Sequence, residues 1–290
     1  MIWQHRSGAL ECGTVRLMGI VNVTPDSFYD GGRYREPAAA VDHGLALVAE
    51  GADILDVGGE SSRPPVYGTA VQVSAQEECD RVLPVIEALR AHTAVPISVD
   101  TVKAAVARAA LVAGADIVND ISALSADPEM VAVASRFQAG VVLMHRRGTP
   151  ATMQQDTRYA DLLGEVHDYL TARVAAAVGG GVALARLAVD PGLGFGKSRQ
   201  GNLLLVRHID SLADLGLPVL VGASRKSFVW RALGLEPQES LEGSLAVAAA
   251  CVFRGVHVLR VHDVEATRRV VRLCEAILAA RAEEANAGAG

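Results

Sequence analysis

The chain alternates short apolar runs with longer segments in which apolar residues recur every three or four positions. Runs of the first kind predict buried strands, and segments of the second kind predict helices that cover them. The predicted strands are 17–23, 53–58, 96–100, 116–120, 140–145, 187–190, 218–222 and 256–261. The most regular predicted helices are 38–50, 75–91, 102–113 and 241–254. Eight strands, each followed by a helix, favour an α/β protein with a (β/α)₈ TIM barrel. An open doubly wound sheet is the alternative.

An internal repeat supports the count of eight. The hexapeptide Gly-Ala-Asp-Ile-Leu-Asp at 51–56 returns as Gly-Ala-Asp-Ile-Val-Asn at 114–119, which is 63 residues later (114 minus 51). The glycine alone could be a helix C-cap before a strand, but a cap does not explain the whole hexapeptide. The spacing equals two βα units of about 31 residues each, near the size of one such unit.

The domain boundaries follow from the same pattern. No linker or low-complexity stretch divides the chain, so we expect one domain over 1–282. Residues 2–14 precede the first barrel strand and are expected to form a short hairpin that plugs the bottom of the barrel. The last residues, 283–290 (EEANAGAG), are expected to be a disordered tail.

Composition narrows the class of protein. Half of the 290 residues are apolar, which suits a large aliphatic core. The net charge is −6 and there is no basic run, so nucleic acid is not an expected partner. No apolar run approaches the ~18 residues of a membrane span. The four cysteines are scattered without metal-ligand spacing, which is typical of reduced thiols in the cytoplasm.

Polar residues stand at the end of every predicted strand, where a barrel places its active site. They are Asn22, Glu60, Asp100, Asn119, His145, Asp190, Lys226 and the pair Arg260 and His262. Any one of them could be structural, for example an aspartate that caps the next helix. Burying all of them would be costly unless they form a site.

The groups sort by chemistry. Lys226, Arg260 and His262 follow the last two strands, where barrels often hold phosphate. Asp100, Asn119 and Asp190 could grip a flat heterocycle with N–H donors, such as an aminopyrimidinone. Asn22 offers an amide oxygen suited to Mg²⁺, which favours oxygen ligands and usually brings substrate phosphates with it.

Two other motifs are set aside. Residues 192–198 (GLGFGKS) look like a nucleotide phosphate loop, but G-x-x-x-x-G-K-[ST] needs a glycine where this chain has Pro191. There is also no G-x-S-x-G elbow, so a nucleophilic hydrolase has no specific support.

Taken together, the strand-end segments resemble those of the dihydropteroate synthases of folate biosynthesis. The matching pieces, in the order of that family, are MGIVNVTPDSFYDGG (18–32), DVGGESSRP (56–64), SVDT (98–101), ND (119–120), MHRRGTPATMQ (144–154), DPGLGFGK (190–197), ASRKSF (223–228) and RVHD (260–263). The resemblance covers nearly the whole chain, and NVTPDSF followed by SRKS and RVHD is specific to the family.

The resemblance implies a reaction and a set of site residues. The enzyme would join 6-hydroxymethyl-7,8-dihydropterin diphosphate to 4-aminobenzoate, releasing pyrophosphate with Mg²⁺ as cofactor, and would be a target of sulfonamides. The residues implied to hold the pterin diphosphate are Asn22, Ser62, Asp100, Asn119, Met144, Asp190, Phe195, Gly222, Lys226, Arg260 and His262, with Asn22 also on the metal. Those implied to frame 4-aminobenzoate are Phe28, Ser62, Arg63, Pro64 and Ser227. Asp100, Lys226, Arg260 and His262 would be catalytic.

The chain departs from the family pattern at a few positions. Ser62 stands where the family commonly has Thr, Pro65 replaces a usual Gly, Tyr29 a usual Ser and Arg146 a usual Met. These changes bear on 4-aminobenzoate affinity more than on the reaction. Two alternatives are a pterin-dependent methyltransferase that works with a corrinoid protein, and a catalytically silent pterin-binding paralogue. The family also implies a homodimer through the late helices.

Overall fold

The computed structural model describes residues 1–23, 36–61 and 73–280. Two antiparallel strands, β1 (Ile2–His5) and β2 (Gly8–Glu11), precede the barrel. The eight barrel strands are β3 (Arg16–Asn22), β4 (Ile54–Gly58), β5 (Ile97–Asp100), β6 (Ile117–Asp120), β7 (Gly140–Met144), β8 (Leu187–Asp190), β9 (Leu220–Val221) and β10 (Val258–Val261). Every neighbouring pair is parallel, in the order β8-β7-β6-β5-β4-β3-β10-β9. The predicted (β/α)₈ architecture is confirmed, and the open-sheet alternative is wrong because a bridge between Val189 and Val219 joins the two ends of the sheet.

Helices surround the strands. In the described part of the chain they are α1 (Glu36–Ala49), α2 (Ala75–His92), α3 (Ala104–Ala113), α4 (Met130–Phe137), α5 (Leu162–Gly179), α6 (Arg199–Arg207), α7 (Ser227–Leu233), α8 (Leu241–Phe253) and α9 (Val264–Ala279). The four predicted helices match α1, α2, α3 and α8 to within two residues at each end. Among the described residues, no helix has the length and apolar character to cross a bilayer.

The strand predicted at 218–222 is shorter than expected, because regular pairing covers only Leu220 and Val221. Pro218 has no N–H to donate to a ladder. The N–H of Val219 is bound by the Nδ1 atom of His257 at 3.1 Å, so a side chain replaces the ladder partner there. The barrel therefore has its weakest pairing at β9.

The barrel interior is filled by alternate strand residues. In β4, Leu55 and Val57 face the helices, while Ile54 and Asp56 face inward. The lowest inward layer is apolar and includes Met18, Ile54, Ile117, Val142, Ala188, Leu220 and Val258. Trp3 of the hairpin packs on this layer with no exposed surface and donates its indole N–H to the Arg186 carbonyl at 2.9 Å. The predicted plug is confirmed.

The two copies of the hexapeptide make the same set of contacts. Asp53 accepts Arg268 of α9 at 3.0 Å, and Asp116 accepts Arg90 of α2 at 2.7 Å. Each arginine also donates to the carbonyl of the hexapeptide's glycine. Each aspartate further accepts the backbone N–H of the preceding strand, at 2.9 Å and 3.0 Å respectively. The repeat thus fixes strand register at two equivalent places at the bottom of the barrel.

The expected tail at 283–290 lies outside the described residues.

Candidate active site

Arg260 lies at the centre of the barrel mouth, on β10. Its Nε atom donates to the Oδ2 atom of Asp56 at 2.5 Å, and its Nη2 atom donates to the Oδ2 atom of Asp100 at 2.9 Å. Burial lowers the pKa of Arg260, but the two carboxylates outweigh it and raise that pKa above its usual value. The guanidinium is therefore held charged between β4 and β5, with about 20% of its side chain exposed to the mouth.

Asn119 lies beside this ion pair on β6. Its Nδ2 atom donates to the same Oδ2 atom of Asp56 at 3.1 Å. The next residue, Asp120, points the other way, as alternate strand residues do. Asp120 accepts the backbone N–H groups of Ser122 and Leu124, so it shapes the turn after the strand and is not part of the pocket.

Asp190 and Lys226 form the opposite side of the mouth. Asp190 is 6% exposed at the end of β8 and accepts the N–H of Gly192 at 2.7 Å. Lys226 immediately precedes α7, donates to the Leu193 carbonyl, and places its Nζ atom 4.4 Å from the centroid of the Phe195 ring. Burial lowers the pKa of Lys226 to about 8, although the negative charge of Asp190 opposes this. Burial has the opposite effect on the carboxyl group of Asp190 and raises its pKa.

Burial is the main reason that the pKa of Asp100 is raised to about 7, and Arg260 opposes the change. Further carboxylates raise the pKa of Asp100 as well: Asp56, Glu78 and Asp120. Asp100 thus titrates near neutrality, in the range that suits a group whose charge controls ligand binding.

Apolar side chains form one wall of the mouth. Met144, Met153 and Phe195 are buried together, with Ile121 packed against them. Gly222 lies at the end of β9, where an added methyl group would come within 3.7 Å of the Arg260 side chain. A flat ring could therefore lie between this apolar wall and the carboxylates of Asp100 and Asp190.

His262 and Asn22 complete the described mouth. The Nδ1 atom of His262 lies 3.0 Å from the Oγ atom of Ser224, which fixes the ring at the top of β10. Asn22 ends β3, pairs in register with Gly58, and is half-buried. Within the described ranges, no group of three or more His, Cys, Asp or Glu side chains could hold a metal ion by itself.

Lys197 is a buried amine that the sequence interpretation assigned to no site. It is 3% exposed, and its Nζ atom lies 2.8 Å from the Nδ1 atom of His145. It also donates to the carbonyls of Gly192 at 2.9 Å and Phe195 at 3.0 Å. Burial lowers the pKa of Lys197 to about 7, and burial with the nearby charge of Lys197 lowers that of His145 to about 3. The lysine of the GLGFGKS segment is therefore turned into its own loop, in agreement with the rejection of a phosphate loop.

The remaining predicted residues are placed as follows. Phe28, Ser62, Arg63 and Pro64 lie outside the described residues. Ser227 is the exposed first residue of α7. Asp56 was missed by the sequence interpretation because it lies inside a strand, although its equivalence to Asn119 in the repeat was a usable signal.

Comparisons with known proteins agree with this geometry. A family described as pterin binding enzyme matches residues 18–262. The dihydropteroate synthase of Synechocystis sp. is 44% identical over 90% of this chain and 89% of its own. Two solved structures of Xanthomonas albilineans dihydropteroate synthase each have a TM-score of 0.87. One, with 4-aminobenzoic acid, is 46% identical and covers 94% of this chain and 96% of its own. The other, in complex with 7,8-dihydropteroate, is 42% identical over 97% of this chain and 100% of its own. A resemblance of this extent, over a barrel whose mouth gathers the carboxylates and cations described above, places the chain in the dihydropteroate synthase family of pterin-binding enzymes.

Proposed function

We propose that the chain condenses 6-hydroxymethyl-7,8-dihydropterin diphosphate with 4-aminobenzoate to give 7,8-dihydropteroate and pyrophosphate. The observation that carries the proposal is the ion pair of Arg260 with Asp100 at the barrel mouth. The mouth gathers hydrogen-bond acceptors suited to a heterocycle beside cations suited to a diphosphate. The structure of a relative in complex with 7,8-dihydropteroate, the product of this reaction, supports the same conclusion.

The pterin ring would lie between the carboxylates and the apolar wall. Asp100 and Asp190 would accept its N–H donors, and Asn119 would contact its edge. Charge-assisted hydrogen bonds of this kind are roughly twice as strong as neutral ones. Met144 and Phe195 would pack against the ring faces.

The diphosphate would be held by Lys226, Arg260 and His262. In the reaction the C–O bond between the pterin methylene and the diphosphate breaks, and its electron pair leaves with pyrophosphate. The amine nitrogen of 4-aminobenzoate then bonds to the methylene and loses a proton. Preorganised cations aimed at the developing charge of the leaving group stabilise that transition state. The negative charges of Asp100 and Asp190 would lie on the pterin side, where positive charge develops.

We propose Mg²⁺ as the cofactor, with Asn22 as its protein ligand. Because Mg²⁺ usually keeps several waters and binds through few protein groups plus substrate phosphates, one half-buried amide oxygen at the mouth is compatible with it. The ion would supply positive charge to the diphosphate.

The site for 4-aminobenzoate is proposed from the family motif. Phe28, Ser62, Arg63, Pro64 and Ser227 would frame it. Among these, Ser227 is exposed at the start of α7, directly after Lys226.

We further propose a homodimer and a cytoplasmic location. Phe253 of α8 and Leu273 and Ile277 of α9 are about half exposed or more, which suits a contact between copies through the late helices. All four cysteines carry free thiols, which suits a reducing compartment. Sedimentation equilibrium should give twice the chain mass of 30.3 kDa.

A pyrophosphate-release assay with and without 4-aminobenzoate tests the proposed reaction. We expect release that depends on the amine and on the pterin diphosphate. A pterin-dependent methyltransferase would release no pyrophosphate, and it has no need for the cation cluster of Lys226, Arg260 and His262. A silent paralogue would bind the pterin diphosphate by calorimetry yet release nothing when the amine is added.

A further inference from the structure

We propose that Asp56 is a positioning residue that orients both halves of the active site, Asn119 for the pterin and Arg260 for the diphosphate. The inference rests on the proposed function for the identity of the two ligands. Asp56 itself has no exposed surface, so it acts only through the two side chains that it binds.

Asp56 fixes the orientation of the Asn119 amide. An ionised carboxylate can only accept hydrogen bonds, whereas an amide presents a donor nitrogen on one side and an acceptor oxygen on the other. Because Asp56 accepts from the Nδ2 atom of Asn119 at 3.1 Å, that nitrogen must point into the barrel. The Oδ1 atom is then turned away from Asp56. Asp56 thereby makes Asn119 an acceptor toward a bound ring, which matches the N–H donors of a pterin and would reject an edge of acceptors.

Asp56 also fixes the guanidinium of Arg260. The Nε atom donates to Asp56 at 2.5 Å while the Nη2 atom donates to Asp100 at 2.9 Å. Two carboxylates on neighbouring strands thus hold two edges of one planar group. If Asp100 alone held the guanidinium, it could rotate about that contact, and its remaining donors would no longer be fixed toward the diphosphate. The planar guanidinium of arginine has several donors in a fixed arrangement, so contacts at two of its edges also fix the direction of its remaining donors.

The charge of Asp56 can be removed without removing its hydrogen-bond acceptor. Within the described part of the chain, the Oδ1 atom of Asp56 and the Oγ atom of Ser98 are buried without hydrogen-bond partners. The two residues are also opposite each other in the β4–β5 register. In Asp56→Asn, the new amide nitrogen can turn toward Ser98 while its oxygen still faces Asn119 and Arg260. That variant removes the negative charge and keeps the acceptor, whereas Asp56→Ala removes both.

The test is calorimetric titration of the folded variants with two probes, 6-hydroxymethyl-7,8-dihydropterin and its diphosphate. We expect Asp56→Ala to weaken binding of both probes by about 10-fold or more, the scale of losing a hydrogen bond to a charged group. Because Asp56→Asn keeps the acceptor, we expect it to leave the affinity for both probes within about 3-fold of the wild type.

Asp53→Asn is the matched control. Asp53 lies three residues earlier in the chain and binds Arg16 and Arg268 at the bottom of the barrel. This control should lower the melting temperature and leave the affinity for both probes unchanged. In turnover, Asp56→Ala should lower kcat with the KM for 4-aminobenzoate unchanged.

Two results would overturn the inference. One is wild-type affinity of Asp56→Ala for both probes. The other is an equal loss for both probes in Asp56→Asn and Asp56→Ala, which would assign Asp56 to fold stability alone. Failure of the proposed function gives a different result. The wild type would then release no pyrophosphate, whereas the affinities of the Asp56 variants and the wild type for the two probes could still be compared.

Discussion

Asp100 and Arg260 form an ion pair of 2.9 Å that joins β5 to β10 across the barrel mouth. The two strands are separated in the sheet by β4 and β3, so the contact spans the interior of the barrel and does not follow the sheet. Because the proposed function assigns this pair to both ligand sites, the charge of Asp100 is expected to govern substrate binding.

The pH dependence of kcat/KM for the pterin diphosphate should be bell-shaped. The pKa of Asp100 is raised to about 7, so its carboxylate is protonated and stops accepting donors as the pH falls through that value. The pKa of Lys226 is lowered to about 8, so its ammonium is lost as the pH rises through that value. The profile should therefore be highest between these two pH values. Because the two groups interact, the apparent pKa of each limb is a property of the pair and not of one residue.

A matched variant identifies the alkaline limb. Lys226→Arg keeps a positive charge throughout because guanidinium does not deprotonate in proteins. Its kcat/KM should show the acid limb and lack the alkaline one. An alkaline limb that persists in Lys226→Arg would exclude Lys226 as its origin.

Asp100→Asn and Asp190→Asn should each weaken pterin binding strongly while leaving the fold intact. A carboxylate that accepts buried N–H donors contributes about 1.5–3 kcal/mol per charge-assisted bond, and an amide offers a donor on half of its edge. Calorimetric titration with the pterin measures the effect, and a melting curve checks the fold. Unchanged dissociation constants in both variants would remove these residues from the pocket.

The C–O bond should break before the amine attacks, with pyrophosphate retained in the site until then. The described mouth supplies cations for the leaving group, and the dihydropterin ring can delocalise positive charge on its methylene. With the bridging oxygen of the diphosphate labelled, incubation with enzyme and Mg²⁺ but without 4-aminobenzoate should scramble the label into non-bridging positions. Arg260→Ala should slow scrambling by about 100-fold or more, the scale of losing one transition-state donor. Normal turnover without scrambling would mean that cleavage waits for the amine.

Lys197→Met should destabilise the protein and also weaken pterin binding. The substitution removes the Lys197 donor from the Phe195 carbonyl, which costs about 1–3 kcal/mol if that carbonyl stays buried, and leaves the Gly192 carbonyl with the N–H of Phe195 as its donor. The same loop carries Phe195 beneath Lys226, so loosening it disturbs the pocket. Urea denaturation and pterin titration together test this, and a stability loss with unchanged pterin affinity would confine Lys197 to the fold.

Much of the barrel and of its mouth was predictable from the sequence. The strands are buried on both faces, so they read as short continuous apolar runs, and polar residues at their ends stand out. Asp56 shows where this reasoning stops. It lies within β4, two residues before the strand ends, and its partners Asn119 and Arg260 come from β6 and β10, so only the closed barrel brings them together.

Local chemistry also misled the prediction in small ways. His145 looks like another strand-end candidate, but it is buried against Tyr169 and held by Lys197, contacts that no spacing rule indicates. The strand at 218–222 is shortened because a histidine side chain takes a backbone partner.

The hairpin at the start of the chain has a consequence for the timing of folding. Trp3 bonds to a carbonyl 183 positions away and rests on a layer that is completed only by β10. Contacts of such sequence separation form late, because loop closure costs entropy before any contact is gained. During synthesis Trp3 therefore emerges well before its partners and is among the last residues to be buried. The other tryptophan, Trp230, lies in α7, so the emission of Trp3 in a Trp230→Phe variant would report completion of the barrel in real time.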